Sequence, residues 1–184
     1  MTAADERRSD HRADGAPDPQ PDLSGLRIRR AVRAAVLDPD DRIMLVRFEF
    51  PTATIWATPG GGQEHGEDDV ATLRRELVEE LGLEVAELGP HIWTRTHIVP
   101  FLDGLWDGQR DHVYLVRTPV FVPVPALTWE QLVAERVHEL RWWTPAELRA
   151  AERDGVRFAP SRLPELVATL AREGPPAAPI AVGV

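Results

Sequence analysis

The sequence predicts one α/β domain in which a mixed β-sheet is combined with a few helices. Strand-like apolar segments and amphipathic helical segments both occur through the middle of the chain, as in α/β architectures. The chain has 184 residues and is 43% hydrophobic, which suffices for one core. No apolar run approaches the roughly 18 residues that a membrane-spanning helix needs. We therefore expect a globular domain without a membrane partner.

The first two strands are predicted to form a β-hairpin. Residues 30–37 (RAVRAAVL) and 42–50 (RIMLVRFEF) have strand character, and the polar stretch DPDD at 38–41 between them is typical of a turn. Three later segments also read as strands: 92–99, 111–123 and 135–143. The last contains two consecutive tryptophans, Trp142 and Trp143, which must point to opposite faces of a sheet.

Three helices are predicted between and after these strands. The first spans about 68–81, with Gly82 as its natural C-terminal stop. The second begins with Thr144 as the N-cap and Pro145 at the first helical position. The third is the amphipathic segment 162–173.

The two ends of the chain differ in composition from the predicted domain, which spans residues 24–173. Residues 1–23 are polar and rich in Asp, Arg and Pro, without apolar periodicity, which predicts a disordered tail. Residues 174–184 are rich in Pro, Gly and Ala and are predicted to be a second tail, although the closing IAVGV is a candidate short strand.

Charge and composition exclude several kinds of function. The net charge of −9 argues against a broad basic face for long nucleic acid, although a small anionic ligand needs only a local cluster. All basic residues are Arg and none is Lys, which removes lysine chemistry. The chain has no cysteine, hence no disulfide, thiolate nucleophile or Cys-bound zinc. The first residues lack the apolar block of a signal peptide, so we expect a cytoplasmic protein.

The segment 59–85, PGGGQEHGEDDVATLRRELVEELGLEV, brings three glycines next to an acidic helix. At about 100° per residue, Glu76, Glu79 and Glu80 share one arc of that helix. An apolar stripe lies beside this arc and consists of Val70, Leu73, Leu77 and Leu81. Carboxylates three and four positions apart repel each other by a few tenths of a kcal/mol per pair. Some other interaction should offset that cost.

Two interpretations of the acidic arc are open. The first is an ordinary solvated face, in which Arg75 pairs with Glu79 four positions later. The second is a cation site, because the glycine loop lets the backbone approach closely and clustered carboxylate oxygens are ligands that Mg²⁺ or Mn²⁺ prefers. A bound cation would offset the repulsion between the carboxylates.

The same residues resemble the signature box of the Nudix (MutT-like) hydrolases. The family pattern is G-x5-E-x7-R-E-U-x-E-E-x-G-U, with U apolar, and Gly61, Glu67 and the run 75–83 (RELVEELGL) meet all of its fixed positions. The lead-in WATPGGG at 56–62 and the later RWWTPAEL also resemble the family, and the resemblance covers about residues 26–155. It implies an α/β/α sandwich with a mixed sheet and a loop-helix-loop Nudix box.

The resemblance also implies roles for the box residues. Glu76, Glu79 and Glu80 would ligate or poise Mg²⁺ or Mn²⁺, with the carbonyl of Gly61 as a further ligand. Arg75 would orient a catalytic carboxylate.

Further residues are implied around the box. Glu67 would support the metal site. A further acid beyond the box would complete the site and act as base, and Glu135 and Glu139 are both candidates.

Substrate contacts are harder to assign from the sequence. Arg33 and Arg47 lie on or near the first two strands, next to where the family binds substrate, and are candidates for phosphate contact or for surface salt bridges. Phe48 and Trp93 are candidates for stacking on a base. The segment 101–112 is predicted to be a loop that affects specificity.

The resulting hypothesis is a Nudix hydrolase that cleaves the diphosphate bond of a nucleoside diphosphate linked to another moiety. One alternative is a regulatory Nudix-like module, which would typically have lost box carboxylates, whereas this chain has kept them all. Another is an isomerase of isopentenyl diphosphate, which would be expected to use a cysteine. The sequence leaves the particular nucleotide and the oligomeric state open, with a homodimer as one candidate.

Overall fold

The computed structural model describes residues 22–101 and 104–183, which form one β-sheet with helices on both faces. The strands are β1 Ile28–Leu37, β2 Ile43–Phe50, β3 Ala53–Ala57, β4 Gly60–Gly62, β5 His91–His97, β6 Gly108–Arg117, β7 Val137–Trp143, β8 Phe158–Ala159 and β9 Ile180–Val182. The helices are α1 Asp69–Leu81, α2 Trp129–Ala134, α3 Pro145–Arg153 and α4 Leu163–Glu173. The predicted disordered tail falls almost wholly on residues 1–21, which lie outside the described residues.

The sheet is mixed, as predicted. Its strand order is β8-β3-β2-β1-β6-β5-β9, with β4 paired to β1 and β7 paired to β2 beside that path. β1 pairs antiparallel with β2 only at its C-terminal end, through Val36–Met44 and Leu37–Ile43, so the predicted hairpin is confirmed. Along its whole length β1 pairs in parallel with β6. The N-terminal half of β1 remains available on its other edge for β4.

The two faces of the sheet carry different helices. On one face, Val32, Ala34 and Val36 of β1 pack against the buried leucines of α1, with α2 adding Leu132 in a neighbouring cluster. On the other face, Ala35 and Leu37 belong to a larger core that includes the apolar sides of α3 and α4. These alternating β1 residues show the period of two expected of a strand. The predicted α/β/α sandwich is confirmed.

Local sequence signals account for most of the elements. Trp142 and Trp143 belong to different core clusters, which confirms that they point to opposite faces. Thr144 caps α3 by accepting a hydrogen bond from the backbone N–H of Glu147, and Pro145 begins the helix, as predicted. The predicted strand 111–123 is wrong at its end, since β6 stops at Arg117. Pro119 follows closely and cannot donate to a strand ladder.

The chain also forms elements that were not predicted. β3, β4, α2 and β8 are short, and β4 consists of three glycines without side chains to show a strand period. Residues 180–182 pair in parallel with β5 as β9, which is the strand alternative for the closing segment. None of the helices in the described part of the chain has both the length and the apolar character to cross a membrane. The domain limits, the cytoplasmic location and the homodimer stay predictions.

Candidate active site

Helix α1 begins and ends at the residues that its sequence signals indicate. The side chain of Asp68 accepts a hydrogen bond from the backbone N–H of Ala71 at 2.8 Å, which caps the first turn. Gly82 ends the helix in the left-handed conformation at φ 67°, and its N–H donates to the carbonyl of Val78. These caps fix where α1 begins and ends, and the packing of Leu73, Leu77 and Leu81 against β1 turns that side of the helix toward the sheet.

The side of α1 that faces the sheet includes two glutamates. Only 8% of Glu76 and 3% of Glu80 is exposed, whereas Val70 is 41% exposed. The predicted apolar stripe is therefore wrong at Val70 and correct at the three leucines. The carboxylates lie within the buried arc rather than at its border, because a backbone segment covers them.

That covering segment is the glycine strand β4. Gly60, Gly61 and Gly62 pair antiparallel with Arg33, Val32 and Ala31 of β1. A Cβ atom on Gly61 would lie 2.6 Å from a carboxylate oxygen of Glu76, so no side chain fits there. Gly60 has a φ of 121°, and a Cβ there would overlap the backbone of β1. The glycines thus let the loop lie directly on the buried carboxylates.

Burial and mutual repulsion govern the electrostatics of Glu76 and Glu80. The carboxylate of Glu80 accepts a hydrogen bond from the backbone N–H of Gly60 at 2.7 Å. Burial, with the negative charge of Glu76 as the next cause, raises the pKa of Glu80 to about 8. Burial also raises the pKa of Glu76, against the opposing effect of Arg75. Buried carboxylates that raise each other's pKa favour binding of a proton or a cation.

Arg75 connects the carboxylates of the box to one another. Its Nη1 lies 2.9 Å from Glu76 and 3.0 Å from Glu79, so the predicted pairing of Arg75 with Glu79 is confirmed. Its Nε lies 2.8 Å from Glu67, and its Nη2 donates to the carbonyl of Gly62 at 3.1 Å. These contacts raise the pKa of Arg75, so its charge is permanent.

Glu67 anchors this arginine. The hydrogen bonds from Arg75 lower the pKa of Glu67 to about 2, with a further contribution from the backbone N–H of Glu64. The hydroxyl of Thr72 also donates to Glu67 at 2.9 Å. Glu67 therefore holds Arg75 against the glycine loop, and its support of a metal site stays a prediction.

The two candidate bases lie in different surroundings. Glu135 ends helix α2, and its negative charge contributes to the raised pKa of Glu80, so it lies near the acidic cluster. Glu139 lies opposite Arg47 across the β2–β7 ladder, with its carboxylate 3.0 Å from the Nε of Arg47. The structure therefore brings Glu135 into electrostatic contact with the box and engages Glu139 elsewhere.

The predicted substrate residues also differ in their surroundings. Arg33 is mostly buried and donates to the carbonyls of Thr58 and Gly60, so its contacts are with the box loop. Arg47 is partly exposed and pairs with Glu49 at 2.5 Å as well as with Glu139.

The two aromatic candidates for stacking on a base also differ in how exposed their rings are. Phe48 is partly buried, with the guanidinium of Arg33 5.7 Å from its ring centre and the ring of Phe50 stacked at 6.4 Å. Trp93 is only 2% exposed within the core, which leaves no ring face for a base and argues against its predicted stacking role.

Sequence reasoning missed Asp111, although it is a central charge near the box. Asp111 lies on β6 and is fully buried. Its carboxylate lies 3.3 Å from the Nε of Arg33 and 3.0 Å from the Nη1 of Arg95. These two guanidinium groups outweigh burial and lower the pKa of Asp111. The only sequence signal was an acid within a strand, with partners far away along the chain.

The residues of the box fit a divalent cation by their chemistry. Carboxylate oxygens are the ligands that Mg²⁺ prefers, and the buried pair carries a repulsion that a cation would relieve. Within residues 22–101 and 104–183, no group of three or more His, Cys, Asp or Glu side chains already has a metal-holding arrangement. Arg75 engages Glu76 and Glu79, so holding a cation would require these carboxylates to exchange N–H contacts for the ion.

An α/β/α sandwich with an acidic helix under a glycine loop defines the class of this domain, and comparisons with known proteins identify its family. A family model described as the NUDIX domain matches residues 27–164. The chain belongs to the Nudix family.

Individual relatives agree with this assignment. The chain is 32% identical over 87 residues to Nudix hydrolase 25 of Arabidopsis thaliana (42% of this chain, 50% of the relative). It is 37% identical over 93 residues to the putative 8-oxo-dGTP diphosphatase 2 of Mycobacterium tuberculosis (50% of this chain, 62% of the relative). The solution structure of the E. coli ORF135 protein matches with a TM-score of 0.55 at 25% identity, over 85% of this chain and 99% of that one. The chain thus spans only half to about three fifths of the two sequence relatives.

Proposed function

We propose that this chain is a pyrophosphohydrolase that depends on Mg²⁺ or Mn²⁺. Its substrate class would be a nucleoside diphosphate linked to another moiety, cleaved at the phosphoanhydride bond. The observation that supports this most strongly is the buried pair Glu76 and Glu80 under the glycine strand. Glutamate is rarely buried unless it is paired, and a purely structural helix would have apolar residues there.

The residues around the pair hold the carboxylates in place. Arg75 bridges Glu76 and Glu79 and is itself held by Glu67, so the three acids occupy defined positions before any ligand arrives. The N–H of Gly60 fixes the direction of the Glu80 carboxylate. Glu79 remains the most accessible of the three, with 32% of its side chain exposed, and would meet the ligand first.

The reaction is a hydrolysis at phosphorus. The oxygen of a water molecule forms a bond to phosphorus, the bridging P–O bond breaks, and the leaving phosphate oxygen takes the electron pair. Glu135 is the proposed acceptor of the proton from water, because its charge reaches the acidic cluster whereas Glu139 is paired with Arg47. A divalent cation, when bound, supplies charge neutralisation at the phosphate oxygens and lowers the pKa of water.

Two residues of β2 are candidates for contact with the rest of the substrate. Arg47 and Phe48 lie on β2 and are the partly accessible candidates for phosphate or base contact. One relative carries the name of a putative 8-oxo-dGTP diphosphatase, so oxidised nucleoside triphosphates belong in any substrate panel. ADP-ribose-like sugars, dinucleoside polyphosphates and RNA 5′ ends complete that panel.

The test is an activity screen with matched variants. The parent chain, Glu79→Gln and the control Glu87→Gln are incubated with each compound in Mg²⁺ or in excess EDTA, and released phosphate or pyrophosphate is measured. Glu87 is an exposed acid just beyond the box, so its substitution should leave turnover unchanged. We expect turnover of at least one compound in Mg²⁺, lost in EDTA and in Glu79→Gln. Equal turnover in EDTA would overturn the metal dependence, and tight binding of a nucleotide without turnover would favour the regulatory module.

A further inference from the structure

Arg33 holds the backbone that leads into the glycine strand. Its Nη1 donates to the carbonyl of Thr58 at 2.8 Å and to that of Gly60 at 2.9 Å. The carbonyl of Pro59, between these two, accepts from the backbone N–H of Ala34 at 2.9 Å. Three successive carbonyls of the loop are therefore bound by two neighbouring residues of β1.

These bonds determine where the N–H of Gly60 points. The N–H of Gly60 shares a peptide plane with the carbonyl of Pro59 and points the opposite way. Because Ala34 binds that carbonyl, the N–H of Gly60 is directed away from β1 and meets Glu80 at 2.7 Å. The bonds of Arg33 to the carbonyls of Thr58 and Gly60 hold the peptide groups on either side in place. A Cβ on Gly60 would overlap β1, so this part of the loop is in close contact with the strand. Arg33 and Glu80 thus hold Gly60 from opposite sides, through its carbonyl and its N–H.

Arg33 is itself held from behind. The fully buried Asp111 lies 3.3 Å from its Nε, and Arg95 and Gln109 bind the same carboxylate at 3.0 and 2.6 Å. The ring of Phe48 lies beneath the guanidinium at 5.7 Å. Only a planar guanidinium presents one N–H edge to a carboxylate and another to carbonyl groups in a fixed geometry, so lysine would not reproduce these contacts.

We propose that Arg33, anchored by Asp111, is a positioning residue that fixes the box loop over the acidic cluster. It acts through Gly60 and makes no contact with the reacting atoms. In this role Arg33 binds the backbone of the box loop and not a phosphate group, which was one of its candidate partners from the sequence. The effect of this positioning on catalysis rests on the proposed function. The loop geometry itself does not depend on that function.

The test compares Arg33→Gln and Arg33→Lys with a matched control, Arg42→Gln. Arg42 also pairs with a fully buried aspartate, Asp38, at 2.6 Å, but near the β1–β2 turn and away from the box loop. Two readouts do not require turnover: hydrogen exchange of the Gly60 amide measured by NMR, and Mn²⁺ affinity measured by electron paramagnetic resonance. Activity on any compound cleaved by the parent is a third readout.

We expect Arg33→Gln to accelerate exchange of the Gly60 amide and to weaken Mn²⁺ binding by about tenfold each, as for the loss of one or two hydrogen bonds. Arg33→Lys keeps the charge and should show the same changes to a smaller degree, and it serves as the test if Arg33→Gln does not fold. Arg42→Gln should lose thermal stability while the Gly60 amide and Mn²⁺ affinity stay at parent values. In assays, kcat should fall more than KM rises.

Two results would overturn the proposal. If both Arg33 variants bind Mn²⁺ and protect Gly60 as the parent does while KM alone rises, Arg33 is a substrate contact. If the Arg33 and Arg42 variants lose only stability, both pairs are merely structural. Failure of the proposed function looks different: the parent would bind Mn²⁺ and protect Gly60 in an Arg33-dependent manner, yet hydrolyse none of the compounds.

Discussion

The helices on the two faces of the sheet differ in what they bury. Helix α4 buries only apolar and proline side chains against the sheet: Leu163, Pro164, Leu166, Val167 and Leu170. Helix α1 buries three leucines in the same way, but two glutamates and Thr72 lie beside them. Both helices are amphipathic and contribute to a core, so burial alone does not reveal function. What distinguishes α1 is charge buried under a backbone segment that has no side chains, and the proposed function rests on this feature.

The largest expected effect separates the charge of α1 from its packing. Glu80→Gln keeps the shape of the side chain and an oxygen that can accept from Gly60, but it removes a charge from the proposed cation site. We expect kcat to fall roughly 1000-fold, which corresponds to about 4 kcal/mol of activation free energy. The free energy of unfolding without metal should change by no more than about 1 kcal/mol. Parallel measurement of kcat and of urea unfolding checks both statements, and an unchanged kcat would mean that the buried carboxylate of Glu80 holds no catalytic cation.

A substitution in α4 should show the opposite behaviour. Leu170 is 2% exposed in the core between α4 and the sheet. We expect Leu170→Ala to lower the free energy of unfolding by about 3 kcal/mol, through lost burial and the cavity left behind. The kcat of the folded fraction at low temperature should stay within a factor of two or so of the parent, as no contact to the box is removed. A large loss of kcat in fully folded protein would show that the two layers are coupled.

The glycine strand gives the third test of the difference between the layers. Gly61→Ala places a methyl group where the carboxylate of Glu76 lies, at 2.6 Å, so either the loop or the carboxylate must move. We expect about a 100-fold loss of kcat, as for a displacement of about 1 Å in an active site. Gly66→Ala is the control, since a Cβ there meets nothing within 4 Å, although its positive φ costs some stability. Equal activity of the two variants would mean that the loop need not lie on Glu76.

The sequence was sufficient to predict an element and its ends where the signals lie within that element. The period of α1, its Asp68 and Gly82 ends, and the cap of α3 were all readable because their causes lie within a few residues. The burial of Glu76 and Glu80 was not readable, because a helical wheel places them at the border of the stripe and only the loop from 60 to 62 encloses them. The role of Asp111 was missed for a similar reason, since its partner Arg33 is 78 positions away.

The last and smallest expected effect concerns buried charge on the other face of the sheet. Arg95 on β5 pairs with Asp111 on β6. Trp93, Arg95 and His97 alternate along β5, so their side chains share one face, and Trp93 belongs to the apolar core on that face. Burial, with Arg95 as the next cause, lowers the pKa of His97 to about 4, against the weaker opposing effect of Asp111.

The unfolded chain, with an ordinary histidine pKa of 6.5, therefore binds more protons than the folded chain between these two values. The contribution of His97 to the free energy of unfolding should accordingly be constant above pH 6.5 and fall as the pH drops toward 4, by at most about 2 kcal/mol for this partly exposed ring. His97→Asn should flatten that part of the curve, because it has no proton to gain, while His65→Asn, on the exposed box loop, should follow the parent. Urea unfolding at a series of pH values measures the difference between the two variants, and parallel curves for both would mean that His97 titrates as it does in the unfolded chain.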